Sequence, residues 1–248
     1  CEFRGLREKE EEIGQQVIIN STQGGNRKGI SITGDGEKRL KRVKLSGGSE
    51  SEGKELFIIN VGNDVKSDII IENIEMVQWK GGFIKSEGGN SIALQDCIFS
   101  GSGTIVHHSV VKLEIASSEF KGEEQYIDID SFITATKGII NIINSTFRQG
   151  SFYGQDIGCI VCSDNCSQCL IEGSEFIANK PQSNSASVSI TSTQCILLSI
   201  KGLQSKRTIF SGLGINDSFS GNFVKSIAAK IDISFTDFTY ATFIDREK

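Results

Sequence analysis

One short pattern recurs along this chain and constrains its fold more than any other feature. Two apolar residues flank a polar one, a turn-forming residue follows two places on, and a large apolar residue usually closes the unit three places later. Seven segments share this layout: Ile69–Met76, Ile92–Phe99, Leu113–Phe120, Ile140–Phe147, Cys169–Phe176, Leu198–Ser205 and Ile231–Phe238. Their closing positions are 23, 21, 27, 29, 29 and 33 residues apart, a variable interval between chemically constant units. All fourteen residues at the first two apolar positions are hydrophobic in a chain that is 38% hydrophobic, a coincidence of roughly one in a million. Glu72, Gln95, Glu114, Asn141, Glu172, Lys201 and Asp232 alternate with them, so the period is two and each unit contains a strand with one face inward.

Repeats of this length that cannot bury their own apolar face must stack on one another. The expected fold is therefore all-β, a single right-handed parallel β-helix of about seven or more rungs spanning residues 17–248, with the charged opening 1–16 as a short helical cap or a truncated edge. Composition agrees. The chain has 36 Ile against 11 Leu and a single Pro, and β-branched side chains favour a pleated backbone while losing rotamer freedom in a helix.

A second strand per rung is expected about eight residues upstream, at Phe83-Ile84, Ile105-Val106, Phe132-Ile133, Cys159-Ile160 and Phe223-Val224, with a short third strand after the closing residue. Asn73, Asp96, Ser117, Asn144, Gly173, Gly202 and Phe235 stand three places before that residue. Asn, Asp and Gly tolerate left-handed backbone, which places a bend there, with Asn side chains stacking along the axis. Phe235 breaks this column and makes the last rung the least regular.

With these residues quoted, the chain resembles the pectin-lyase-like right-handed parallel β-helix superfamily. It is most similar to the non-enzymatic surface-protein repeats of the polymorphic outer-membrane-protein type, which carry Phe-x-x-Asn and Gly-Gly-aliphatic signatures. Phe176-Ile177-Ala178-Asn179 matches the first signature; Gly81-Gly82-Phe83-Ile84 follows the second loosely. The resemblance implies a non-enzymatic secreted or cell-surface module, extracellular in location: a structural stalk, an adhesin, or a binder of glycans or other surface proteins. Enzymes of the superfamily cleave acidic polysaccharides, so a divergent polysaccharide lyase or glycoside hydrolase is the alternative.

For that alternative the candidate catalytic residues are Asp128, Asp130 and Asp156. Asp128 and Asp130 share a strand face with Glu124 upstream, a spacing of about 6 to 7 Å that suits Ca²⁺ or acid/base work. The plainer reading of the same residues, and the one preferred here, is a solvated acidic edge beside Ile127, Ile129 and Phe132. The two histidines, His107 and His108, are adjacent and so face opposite sides of a strand; neither is flanked by Gly, as a polygalacturonase signature would require.

Four of the seven cysteines, Cys159, Cys162, Cys166 and Cys169, form two Cys-x-x-Cys pairs, a spacing that can chelate Zn²⁺. Only three residues separate the pairs, fewer than in zinc ribbons, and the repeat assigns Cys169 to an inward column, where a thiol behaves as a small hydrophobe. Disulfide, buried thiol and zinc ligand all remain open from sequence. Sequons stand at Asn20, Asn144, Asn165 and Asn216, compatible with a glycoprotein.

The net charge of −5 and a scattered distribution of Lys and Arg do not indicate nucleic acid. The one basic run, Lys38 to Lys44, reads as a solvated strand face. No apolar stretch approaches the ~18 residues of a membrane span, and the opening lacks the basic-then-apolar order of a signal peptide. The chain begins on Cys1 and its one Met is Met76, which is expected of a processed product or an excerpt of a longer protein. Trp79, Tyr126, Tyr153 and Tyr240 offer rings for sugar stacking or rim packing.

Overall fold

A computed structural model describes residues 30–32, 38–41, 44–46, 57–79, 82–101, 106–109, 111–122, 131–152, 157–181, 186–203, 205–211 and 222–239. Among them there is no helix, and every strand pairing is parallel. The strands recur in sets of three, each pairing with its counterpart in the next set, a pattern consistent with a β-solenoid. The expected cap at 1–16 lies outside the described residues.

The second strand of each set carries the two aliphatic columns, in the register the repeat requires. Ile69, Ile92, Leu113, Ile140, Cys169, Leu198 and Ile231 lie side by side in order, as do Ile71, Leu94, Ile115, Ile142, Ile171, Ile200 and Ile233. The first six of each column are buried. One set more than expected is present: Lys38–Lys41 pairs beside Asp68–Glu72 with Leu40 at Ile71, and Lys44–Ser46 pairs beside Glu75–Trp79 with Leu45 at Met76. The basic run thus belongs to the first described rung of the ladders, its leucines at the apolar register positions.

The first strand of each set runs through Ile59, Ile84, Val106, Ile133, Ile160, Val188 and Val224. It includes Ala186–Ile190, which sequence reading missed. In Ser131–Ile143 and Gly158–Glu172 the first and second strands merge, and the chain rounds the corner with shifts of register between Ala135 and Ile139.

The third strand carries the closing residue rather than following it. Phe99, Phe120, Phe147, Phe176, Phe210 and Phe238 pair in sequence, and their rings stack at centroid spacings of 5.0, 4.9, 5.0, 4.5 and 5.1 Å. That spacing is set by the ~4.8 Å separation of neighbouring strands. Phe83, Phe132 and Phe223 pack against the side of this stack. In the sixth unit the expected closing residue, Ser205, is displaced by Phe210. A small turn closed between Leu203 and Lys206 inserts five residues where the chain leaves one ladder and before it joins the next, so no pairing is disturbed.

The bend column behaves as expected in backbone but not in side chain. Asn73, Asp96, Ser117, Asn144, Gly173 and Phe235 all have φ between 47° and 55°, so even Phe235 adopts the left-handed turn. Gly202 serves another purpose, since a Cβ there would collide with the Phe235 carbonyl oxygen. The Asn side chains form no buried ladder; Asn73 and Asn144 are exposed. The ladder lies one residue later. Ser118 Oγ accepts from Cys97 N, Ser145 Oγ from Ser118 N and Ser174 Oγ from Ser145 N, at 3.1, 3.2 and 3.1 Å, and each hydroxyl donates to the carbonyl two residues back in its own turn. A buried turn amide must find an acceptor, and a hydroxyl can accept from one rung while donating within another.

Phe-x-x-Asn gains a physical role here. Asn179 is buried; its Nδ2 donates to the Phe147 carbonyl and its Oδ1 accepts from Gly150 N, both at 2.9 Å. It bridges the turn after the stacked Phe to the preceding rung. Asn179→Ala leaves both partners buried and unsatisfied, with an expected loss of about 1 to 3 kcal/mol, read as a lower urea midpoint at unchanged slope.

Candidate functional site

The catalytic candidates Asp128, Asp130 and Asp156 lie outside the described residues, as do Glu124, Tyr126, Tyr153 and Tyr240 and two of the sequons, Asn20 and Asn216. Asn144 and Asn165 are exposed, and Asn144 Oδ1 accepts from Lys206 Nζ at 2.8 Å.

The histidines divide as adjacent strand residues must. His107 is half-buried on the outer side; burial, followed by Lys85, lowers its pKa. His108 faces inward and is completely buried between Ser86 and Ala135 of the flanking strands. Neither of its ring nitrogens has a hydrogen-bond partner among the described residues. Burial, then the neighbouring His107, lowers its pKa to about 4, so it is neutral at physiological pH and unfit to act on a solvent-borne substrate.

All four candidate metal-ligating cysteines are buried and free, as are Cys97 and Cys195. Of the four, Cys162 lies near two others. Gly158–Glu172 rounds its corner at Asp164, whose φ is 48°, and the Cys162 thiol meets those of Cys166 and Cys169. Beneath them sit Ala135 and Gly138, small residues that leave room for sulfur. Cys159 belongs to the straight leg beyond, flanked by Gly158 and Ile160. Cys195 lies in the following rung instead, and its thiol reaches the Leu197 carbonyl at 3.5 Å. Burial holds Cys159 and Cys162 above the usual thiol range and pushes Cys195 up to about 11. The Cys162 thiol donates to Cys166 and lowers its pKa. Among the described residues no three His, Cys, Asp or Glu side chains are arranged around a common point that would hold a metal ion.

Thiols shielded from solvent react slowly. The native chain is expected to leave the six described cysteines unmodified by an aromatic disulfide reagent and to titrate them fully only after unfolding in urea. Fast reaction of two or more thiols per native chain would contradict this, since only Cys1 lies outside the described set.

A surface feature that sequence reading missed lies at the corner between the first and second strands. There a shallow cleft of about 310 Å³ crosses four successive rungs, lined among others by Asn63, Lys66, Gly88, Asn90, Ser109 and Lys137. Tight backbone contacts build it. Gly89 N donates to Val65 O at 2.6 Å, Asn90 N to Ser67 O at 3.1 Å and Ser109 N to Ser86 O at 3.0 Å. Gly88 comes so close to the Gly62 carbonyl that a side chain would not fit. The neighbouring Asp68 accepts from Ser91 Oγ at 2.6 Å and Asn90 Nδ2 at 3.0 Å; these two bonds, Ser91 first, lower its pKa. Glu87, which also lines the cleft, is paired with Lys85 at 2.9 Å. The lining thus offers amide and hydroxyl groups beside the ammonium groups of Lys66 and Lys137, with the Glu87 carboxylate taken up by Lys85, a set that can hold a hydroxyl-rich ligand carrying negative charge. No local motif announces it, because its parts lie on separate turns that are brought together only by stacking.

Among the described residues no helix is long and apolar enough to cross a membrane. No family model, no curated protein and no solved structure matches this chain.

Proposed function

We propose that this chain is a right-handed parallel β-helix acting as a non-enzymatic module of a secreted or cell-surface protein, a stalk or adhesin that binds acidic glycans through the corner cleft. Handedness follows from the rule that parallel strand crossovers are right-handed in about 98% of cases. In character it stands nearest to the non-enzymatic surface repeats of the pectin-lyase-like superfamily, on the strength of Phe176-Ile177-Ala178-Asn179.

The observation that carries this reading is where the distinctive residues go. The Phe stack, Asn179, the thiols and His108 are all spent inside the ladders, while the outer face of the cleft presents Lys66 and Lys137 with amide and hydroxyl groups. The test is a glycan-array screen run beside an assay for unsaturated uronide release. Retention of acidic glycans without turnover, weakened about tenfold by Lys66→Glu with Lys137→Glu, is expected. Turnover would overturn the non-enzymatic reading, and retention indifferent to both substitutions would remove the cleft from it.

A further inference from the structure

Three of the buried thiols meet on the inside of one corner. Along Gly158–Glu172, Cys162 and Cys166 are the last buried residues on either side of Asp164 and Asn165, which are exposed. The two thiols therefore face each other across the inner side of the bend, both completely buried. The Cys162 thiol touches that of Cys166 and also that of Cys169, three residues further along. All three are free in this structure.

The neighbouring rungs hold this corner without using sulfur. In the preceding rung Ala135 pairs beside Cys162 and Gly138 beside Cys166, so a methyl group and a hydrogen stand where larger side chains would push the sulfurs apart. In the following rung Thr191 N and Ser192 N donate to Cys162 O at 2.8 and 3.2 Å, and Ser192 Oγ donates to Asp164 O at 2.7 Å. Other thiols are turned to backbone instead. Cys97 Sγ donates to the Ile71 and Gln95 carbonyls at 3.5 and 3.2 Å, and Cys195 Sγ to the Leu197 carbonyl at 3.5 Å.

Cys162 can bond only one of its two neighbours. Cys169 stands in a regular ladder, paired beside Ile140 and Leu198 in an aliphatic column. Cys166 lies just before a register shift, between Gly138 and Ile139 of the preceding rung, with a second shift a few residues upstream. A disulfide draws two sulfurs from contact to about 2.05 Å, and the irregular stretch that carries Cys166 can yield that distance without breaking a ladder.

We propose that Cys162 and Cys166 are a disulfide-forming pair that locks this corner when the chain folds in the presence of a disulfide oxidant such as oxidised glutathione. Two S–H bonds are replaced by one S–S bond, and glutathione disulfide is reduced to two glutathione thiols, which carry away both hydrogens. Cys169 keeps its thiol and its place in the column. Such bonds persist in oxidising compartments, in agreement with a secreted or cell-surface module. The pairing rests on the corner and not on glycan binding, so either idea can fail alone.

The test is thiol mapping of the 248-residue chain, equilibrated in a glutathione redox buffer from the reduced and from the oxidised side, both folded and in urea. After an acid quench and unfolding, free thiols are alkylated with one reagent, and those released by reduction with a second. In the folded chain the second label is expected on Cys162 and Cys166, so that two fewer of the six described thiols titrate on unfolding than in the reduced chain. The ratio of bond to dithiol should be at least about tenfold higher folded than in urea at the same glutathione ratio, because the fold holds the sulfurs together. Cys162→Ala should leave Cys166 with the first label, and Cys169→Ala should leave the bond in place. Circular dichroism must show each variant folded, and mapping of the unsubstituted chain decides the matter if neither folds. A fully reduced folded chain, a glutathione adduct in place of the bond, a bond joining any other pair, or a ratio no higher than in urea would overturn the proposal. Glycan retention by the oxidised chain, measured in parallel, should be unchanged.

Discussion

Phe176→Ala is expected to destabilise the fold by about 3 to 5 kcal/mol, the largest effect of any single truncation considered for this chain. Phe176 is 1% exposed, and its ring lies between those of Phe147 and Phe210 at 5.0 and 4.5 Å with interplanar angles of 9° and 3°. Removing it opens a ring-sized void in the middle of the stack. The flanking strands hold their ~4.8 Å spacing by backbone hydrogen bonds and cannot collapse to fill it. Both ring contacts are lost in addition to the buried area. Phe238→Ala is the control: among the described residues its ring meets those of Phe210 and Phe223, and it is already partly in solvent, so less than about 2 kcal/mol is expected. Urea unfolding of both variants decides the matter. Equal losses at the two positions would mean that the stack does not stabilise the fold as a continuous column.

Stability is expected to fall by about 3 kcal/mol as pH drops from the mid-sixes toward 4, through His108. Its folded pKa is lowered to about 4 by burial, against an unfolded value of 6.5. The unfolded chain therefore takes up a proton first. Stability from this group is fully present above the unfolded value, declines as pH falls below it, and is gone below about 4. His107, lowered in the same direction and more accessible, adds to the slope. His108→Leu places an apolar side chain of similar size between Ser86 and Ala135 and should flatten most of the profile. Urea midpoints for both proteins at pH 7, 5.5 and 4.5 provide the check, and a slope that survives in His108→Leu would assign the effect to other groups.

How much of this could be read from residues alone follows from the range of the forces involved. Alternation is local, so His107 and His108 could be assigned to opposite sides of a strand before any coordinates. The inward position of Cys169 followed from its column in the same way. Cys162 and Cys166 meet because the chain turns a corner at Asp164, which period-two reasoning along one strand does not contain. Cys195 enters the same region from the next rung, beyond the reach of a Cys-x-x-Cys motif.

The sequence by itself determined the two aliphatic columns, the aromatic column in five of its units and the left-handed bend, because each is set by side-chain alternation and backbone sterics within a few residues. Tertiary structure alone decided the rest. Phe210 rather than Ser205 closes the sixth unit because an excursion between ladders costs no pairing and leaves no mark in the strand pattern. Ser118, Ser145 and Ser174 rather than the Asn column carry the buried ladder because a turn amide must find its acceptor in the neighbouring rung, between 20 and 30 residues away. The corner cleft is of the same kind: a property of stacking, which no single repeat contains.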